Sequence, residues 1–135
     1  MVESEHDTAL VRAFITPKRR DRYLGLLASA RGREKLRRRL AHCCSDLDSR
    51  FLRELPRGTH TPEQISALLH ERGAPPGCVL LSEDDALDGR RMPLIDALAA
   101  IVGRGMGTFV SCVPGRLAFY EEEGPGVRYI LERST

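Results

Sequence analysis

Four cysteines, four histidines and several runs of carboxylates are the groups in this 135-residue chain able to do nucleophilic, metal or acid–base chemistry. Cys112 stands in Thr108-Phe-Val-Ser-Cys-Val-Pro-Gly. A nucleophilic thiolate there needs a base or a cation beside it to lower its pKa. His6, His42, His60 and His70 are all remote in sequence. A cysteine within an apolar strand is more often a small hydrophobe. His42-Cys43-Cys44 is too compressed to give three ligands to one tetrahedral ion, and Cys78 and Cys112 each stand alone. The chain has no C-x-x-C pair. These spacings predict reduced thiols, no metal and no cofactor.

Glu83, Asp84, Asp85 and Asp88 follow an apolar run, and ligand sites in α/β units favour the ends of strands. Two such carboxylates could hold a cation or divide acid and base roles between them. Their spacing does not fit a calcium-binding EF-hand loop. The alternative is a surface turn built from turn-forming residues. Gly103-Arg-Gly-Met-Gly107 has the composition of a phosphate loop but follows a helix pattern and enters a strand, the reverse of what phosphate binding needs. The glycines are therefore read as a helix stop and a tight turn, with Arg104 held beside the sheet.

The basic residues form a third group. Residues 16–40 hold ten Lys and Arg against Asp21 and Glu34. Lys18, Arg19, Arg20, Arg22, Arg33, Arg37 and Arg38 are the candidates for a phosphate-backbone surface. The competing expectation is that these charges meet the acidic half of the same molecule. Residues 1–57 carry a net charge of +6 and residues 58–135 a net −4. The pI of 8.5 and the scarcity of aromatic residues, with no tryptophan, weigh against nucleic acid.

Elements must bring these groups together. Residues 4–14 read as a short helix. Thr16-Pro17 opens a second, which Gly32 breaks or bends. Leu36, Leu40, Cys43, Cys44 and Leu47 form the apolar stripe of a third, with Arg33, Arg37 and Arg38 opposite. Residues 46–58 are irregular, with a short extended piece expected around Arg50–Leu52. Thr61-Pro-Glu-Gln64 is a capping box starting helix 61–72, with Gly73 as its stop. Strands are expected at about 78–82, 108–113, 117–121 and 127–132, with turns at Pro114-Gly115 and Gly124-Pro125-Gly126, and a helix over 93–102. The expected fold is α+β: N-terminal helices, then a four-stranded mixed sheet carrying helices 61–72 and 93–102. Strands 78–82 and 108–113 would be parallel, joined by a right-handed crossover. One domain is expected over 1–135, with a basic helical part (1–57) and an acidic α/β part (58–135). A terminal edge strand would permit a homodimer.

Composition narrows the class. The chain is 41% hydrophobic and 30% charged, with mean hydropathy −0.29, as in globular proteins. No apolar run is long enough to span a bilayer, and the polar, acidic start is unlike an export signal. A cytoplasmic location is the expectation.

Phe14-Ile-Thr-Pro-Lys-Arg-Arg-Asp-Arg-Tyr, Ser82-Glu-Asp…Leu87-Asp-Gly and the long stretch Gly103-Arg-Gly-Met-Gly-Thr-Phe-Val-Ser-Cys-Val-Pro-Gly-Arg-Leu-Ala-Phe-Tyr-Glu resemble a set of small bacterial proteins of uncharacterised function. The resemblance spans most of 14–133. It implies a free-standing, cytoplasmic bacterial domain and no particular activity. The residues point first to a non-enzymatic binding or regulatory domain for a protein or small ligand. It would use a crevice formed by the 83–89 loop, the 103–107 turn and the 114–116 turn, with Glu83, Asp84, Asp88, Arg104, Cys112 and Arg116 as contacts. The alternatives are nucleic-acid binding through the basic helices and a small enzyme using Cys112 or the 83–88 carboxylates.

Overall fold

A computed structural model of the chain describes residues 2–55, 61–123 and 127–133. Three helices lead: α1 (Val2–Phe14), α2 (Pro17–Leu27) and α3 (Ala30–Arg37). Two 3-10 segments, Leu40–Asp46 and Ser49–Phe51, run into strand β1 (Leu52–Glu54). Then come α4 (Pro62–Glu71), β2 (Gly77–Ser82), β3 (Arg91–Pro93), α5 (Leu94–Ile101), β4 (Thr108–Val113), β5 (Leu117–Glu121) and β6 (Arg128–Glu132).

The fold is α+β, but its sheet has six strands in the order β1-β6-β5-β4-β2-β3. Every pairing is antiparallel, so the four-stranded mixed sheet is wrong. The cause is a reversal after β2. Gly89 N donates to Leu80 O and Leu80 N to Arg90 O, and β3 runs back beside β2. Leu94 N donates to Pro76 O, so α5 starts at the end of the sheet where β2 starts. The chain then enters β4 with Thr108 opposite Ser82, and no parallel crossover exists. Strands of three residues are too short to reveal a period of two. The short extended piece expected around Arg50–Leu52 overlaps β1 only at Leu52, and the pairing of β1 with β6, which no local pattern announces, draws the N-terminal part into the sheet. The last strand is not an edge: β6 lies between β1 and β5.

Alternate residues of the central strands serve two cores. Leu81, Phe109, Ala118, Tyr120 and Leu131 face α1, α2 and α3, where they meet Leu10, Phe14, Tyr23, Leu36 and Leu40. Leu80, Val110, Cys112, Leu117, Phe119 and Ile130 face α4 and α5. Burial on both faces explains why β2 and β5 read as continuous apolar runs.

Local signals work where the chemistry is short-range. Thr61 Oγ1 accepts from Gln64 N, and Gln64 Oε1 accepts from Thr61 N, completing the capping box. Pro17 sits at the start of α2, although Thr16 caps nothing with its side chain. Gly32 does not break a helix. Ser29 starts α3 by accepting from Gly32 N, and a Cβ at Gly32 would lie 2.3 Å from Leu26 O. Gly32 is thus a close-approach residue. The expected third helix is α3 followed by a 3-10 segment kinked at His42. The Gly124-Pro125-Gly126 turn and His60 lie outside the described residues.

Candidate functional site

The two ends of the sheet hold the polar residues singled out above. One end, the loop end, carries the 83–90 and 103–107 segments. The other, the turn end, carries the 114–116 turn.

At the loop end α3 delivers two arginines against the acidic turn. Arg33 Nε and Nη2 donate to the two oxygens of Asp88 at 3.0 Å each, and Nη1 donates to Asp7 at 2.5 Å. Arg37, only 8 % exposed, donates to Ser82 O, Glu83 O, Glu34 and Asp85. Burial works against these guanidinium charges, yet the hydrogen bonds that Arg33 donates to Asp88 and Asp7, and that Arg37 donates to Asp85, hold both pKa values above the ordinary arginine value. Asp88 also accepts from Ser82 N, fixing the turn to β2. These two arginines therefore meet acidic groups of the same molecule instead of facing solvent.

The glycine run is occupied by carboxylates of this chain. Glu121, 1 % exposed, accepts from Gly103 N and Gly105 N and pairs with Arg128 Nε at 2.9 Å. Glu83 accepts from Gly107 N at 2.6 Å. Gly103 and Gly105 have positive φ, which turns their amides toward one anion. Gly107 lies against the Leu40 backbone, where a Cβ would come within 2.2 Å of the carbonyl carbon. The glycines thus cradle an anion, but it is an internal one. Arg104 reaches Asp84 at 3.9 Å and donates to Ala100 O. The cleft between Asp84, Leu87, Arg104 and Met106 has no room for a water molecule.

The three segments expected to form one crevice do not converge. Glu83, Asp84, Asp88 and Arg104 share the loop end, where Glu83 N also donates to Gly107 O. The 114–116 turn joins the far ends of β4 and β5, so Arg116 lies at the opposite end of the sheet. Cys112 is buried under the α4–α5 core. Burial pushes the Cys78 thiol up to about 12 and the Cys112 thiol further still. Cys43, also buried, is pushed up to about 12.

The turn end is different. A hollow of about 250 Å³ is lined by Arg72, Gly73, Val113, Arg116, Leu117, Glu132 and Arg133. A second, of about 380 Å³, shares Arg133 and adds Ala9, Arg12, Ala13 and Gly115. Arg72 pairs with Glu132 at 2.7 Å. Arg133 donates to Ala13 O, and its guanidinium lies 4.5 Å from the Phe51 ring centre. Arg116 is exposed, and neither Arg116 nor Arg12 has an ion-pair or side-chain hydrogen-bond partner among the described residues. Of this cluster only Arg116 was expected from the sequence, and it was grouped there with residues of the opposite end. The cluster's arginines are scattered from position 12 to position 133, and only the sheet gathers them.

Of the basic helices, Lys18, Arg19, Arg22 and Arg38 remain exposed. Arg19 is within 3.7 Å of Asp46, Arg38 within 3.8 Å of Glu34, and Arg20 donates to Ile15 O. His6 Nδ1 and Ser111 Oγ lie 2.7 Å apart, both buried between α1 and β4, a long-range pairing that no local signal announces. Among the described residues no cluster of three or more His, Cys, Asp or Glu side chains is arranged to hold a metal ion. No helix among the described residues is long and apolar enough to cross a membrane. Against protein-family models, curated proteins and solved structures, the chain finds no match.

Proposed function

We propose that this chain is a non-enzymatic binding domain of the bacterial cytoplasm, and that it recognises its ligand at the turn end of the sheet. The observation that carries the reading is the contrast in how polar groups are used. Glu83, Asp88 and Glu121 are tied to arginines or backbone amides. Asp84 accepts from Ala86 N within its own turn. Three of the four cysteines are buried, with thiols pushed away from the thiolate form. Neither set supports the small-enzyme alternative, because a nucleophile needs an accessible, activated form. Exposed Arg116 and Arg12 beside open hollows support binding instead.

Alkylation tests this. With iodoacetamide at neutral pH, Cys43, Cys78 and Cys112 are expected to label only after unfolding in urea. Rapid modification of Cys112 in the folded protein would return the enzyme reading and remove this one.

The second reading, phosphate-backbone binding through α2 and α3, keeps exposed Lys18, Arg19, Arg22 and Arg38 in its favour. It loses Arg33 and Arg37 to internal ion pairs. Titration with RNA and DNA at low and moderate salt tests it. A steep loss of affinity with salt would support it, and no binding at low salt would end it.

A further inference from the structure

We propose that the hollow between Arg72, Arg116 and Arg133 is a binding site for a small organic phosphate. This rests on the binding-domain reading above and names the ligand class for it.

The charges around the hollow set the ligand's charge. Arg72, Arg116 and Arg133 contribute three positive charges and Glu132 one negative. Glu132 is paired with Arg72, and Asp48, whose carboxylate also feels Arg133, is paired with Arg50, so among the described residues a net charge of two guanidinium groups remains beside the hollow. A phosphate monoester carries about −1.5 to −2 at neutral pH and would neutralise them. The donors come from separate elements: Arg72 follows α4, Arg116 is in the β4–β5 turn, and Arg133 follows β6. Forked donors supplied by three separate elements around one hollow suit a tetrahedral oxyanion with several acceptor oxygens.

The donors are partly positioned in advance. Arg133 is fixed by Ala13 O and the Phe51 ring, and Arg72 by Glu132. Arg116 is left to close on the ligand. Val113 and Leu117 give the hollow an apolar side for a carbon body. A volume of about 250 Å³ suits a metabolite-sized molecule, below the usual range for drug-sized ligands. A nucleic-acid strand fits less well, because stacking needs an open aromatic face. No aromatic residue lines the hollow, and the Phe51 ring beside Arg133 has the guanidinium groups of Arg50 and Arg133 within 5.1 and 4.5 Å of its centre.

Calorimetric titration of the intact protein with glycerol 3-phosphate, together with amide chemical-shift mapping, tests the site. Saturable binding is expected, with shifts confined to residues 72–73, 113–117 and 132–133. Arg116→Gln should weaken it about tenfold, the loss of a charge-assisted hydrogen bond. Arg116→Lys, which keeps the charge but not the fork, should recover only part of that. Lys18→Gln should change nothing. The proposal is overturned by no saturable binding, by binding indifferent to Arg116→Gln, or by shifts centred on 18–38. It is equally overturned if succinate binds as tightly as glycerol 3-phosphate, or if a single-stranded oligonucleotide binds far more tightly than either. Should phosphate fail while the cysteines stay unreactive, only the ligand assignment falls; a reactive Cys112 removes the binding-domain reading itself.

Discussion

The two ends of the sheet use the same residue types for opposite purposes. At the loop end Arg33 and Arg37 lie against Asp7, Asp85 and Asp88, and Glu121 fills the glycine cradle. Charge there is spent on fastening α3 and the 103–107 segment to the sheet. At the turn end Arg116 and Arg12 border open hollows with no partner among the described residues. The difference teaches that a charged or glycine-rich stretch acquires its meaning from what faces it. A loop with the composition of a phosphate binder is occupied by its own protein, while arginines far apart in sequence form the open cationic surface.

The largest mutational effect is expected at Glu121. Glu121→Ala would leave Arg128 buried without its carboxylate and free the amides of Gly103 and Gly105. A loss of about 3 kcal/mol or more is expected, read as a lower urea midpoint. If stability were unchanged, the loop end would not be the fastening described here. Arg33→Ala comes next, at about 2 kcal/mol, because Asp7 and Asp88 lose their shared partner. Arg116→Gln is the matched control at the other end. Its stability should stay within about 0.5 kcal/mol of the parent, so that any loss of phosphate binding is a loss of contact and not of fold.

The smallest effect concerns pH. At the turn end the Arg50 side chain and backbone amide donate to Asp48 and hold its carboxyl below the usual aspartate value. A depressed folded pKa contributes stability that is fully present above the unfolded pKa of about 3.9 and is lost as pH falls through the folded value. Asp48→Asn should therefore be slightly less stable than the parent near neutrality. The gap should narrow below about pH 4, where the parent's carboxylate also protonates. Urea midpoints across the acid limb would show it, and a gap constant with pH would assign Asp48 a role other than this ion pair.

Local chemistry was legible in the sequence, and long-range pairing was not. The Thr61–Gln64 capping box and the apolar runs of β2, β4, β5 and β6 rest on neighbours a few residues apart. The sheet's true order depends on β1 and β3, each three residues long, whose hydrophobic pattern carries no period. The reversal at Glu83–Arg90 is held by contacts from Arg33 and Arg37, distant in sequence, so its acids looked equally like a ligand site and a turn. The opposite charges of the two halves were visible, but not which arginines would be consumed. Arg33 and Arg37 were indistinguishable from Arg38 until α3 was oriented, and Arg116 was legible as a turn residue but not as a neighbour of Arg72 and Arg133.

Strand β1 carries a consequence for assembly. Leu52 meets Leu131, so this edge closes a loop spanning more than half the polypeptide. The β4–β5 hairpin, by contrast, needs only a short turn. Long closures carry the larger entropic cost and slow folding. The meander of β4, β5 and β6 can form early, and attachment of the amino-terminal helices through β1 becomes a late event that completes the walls beside Arg133.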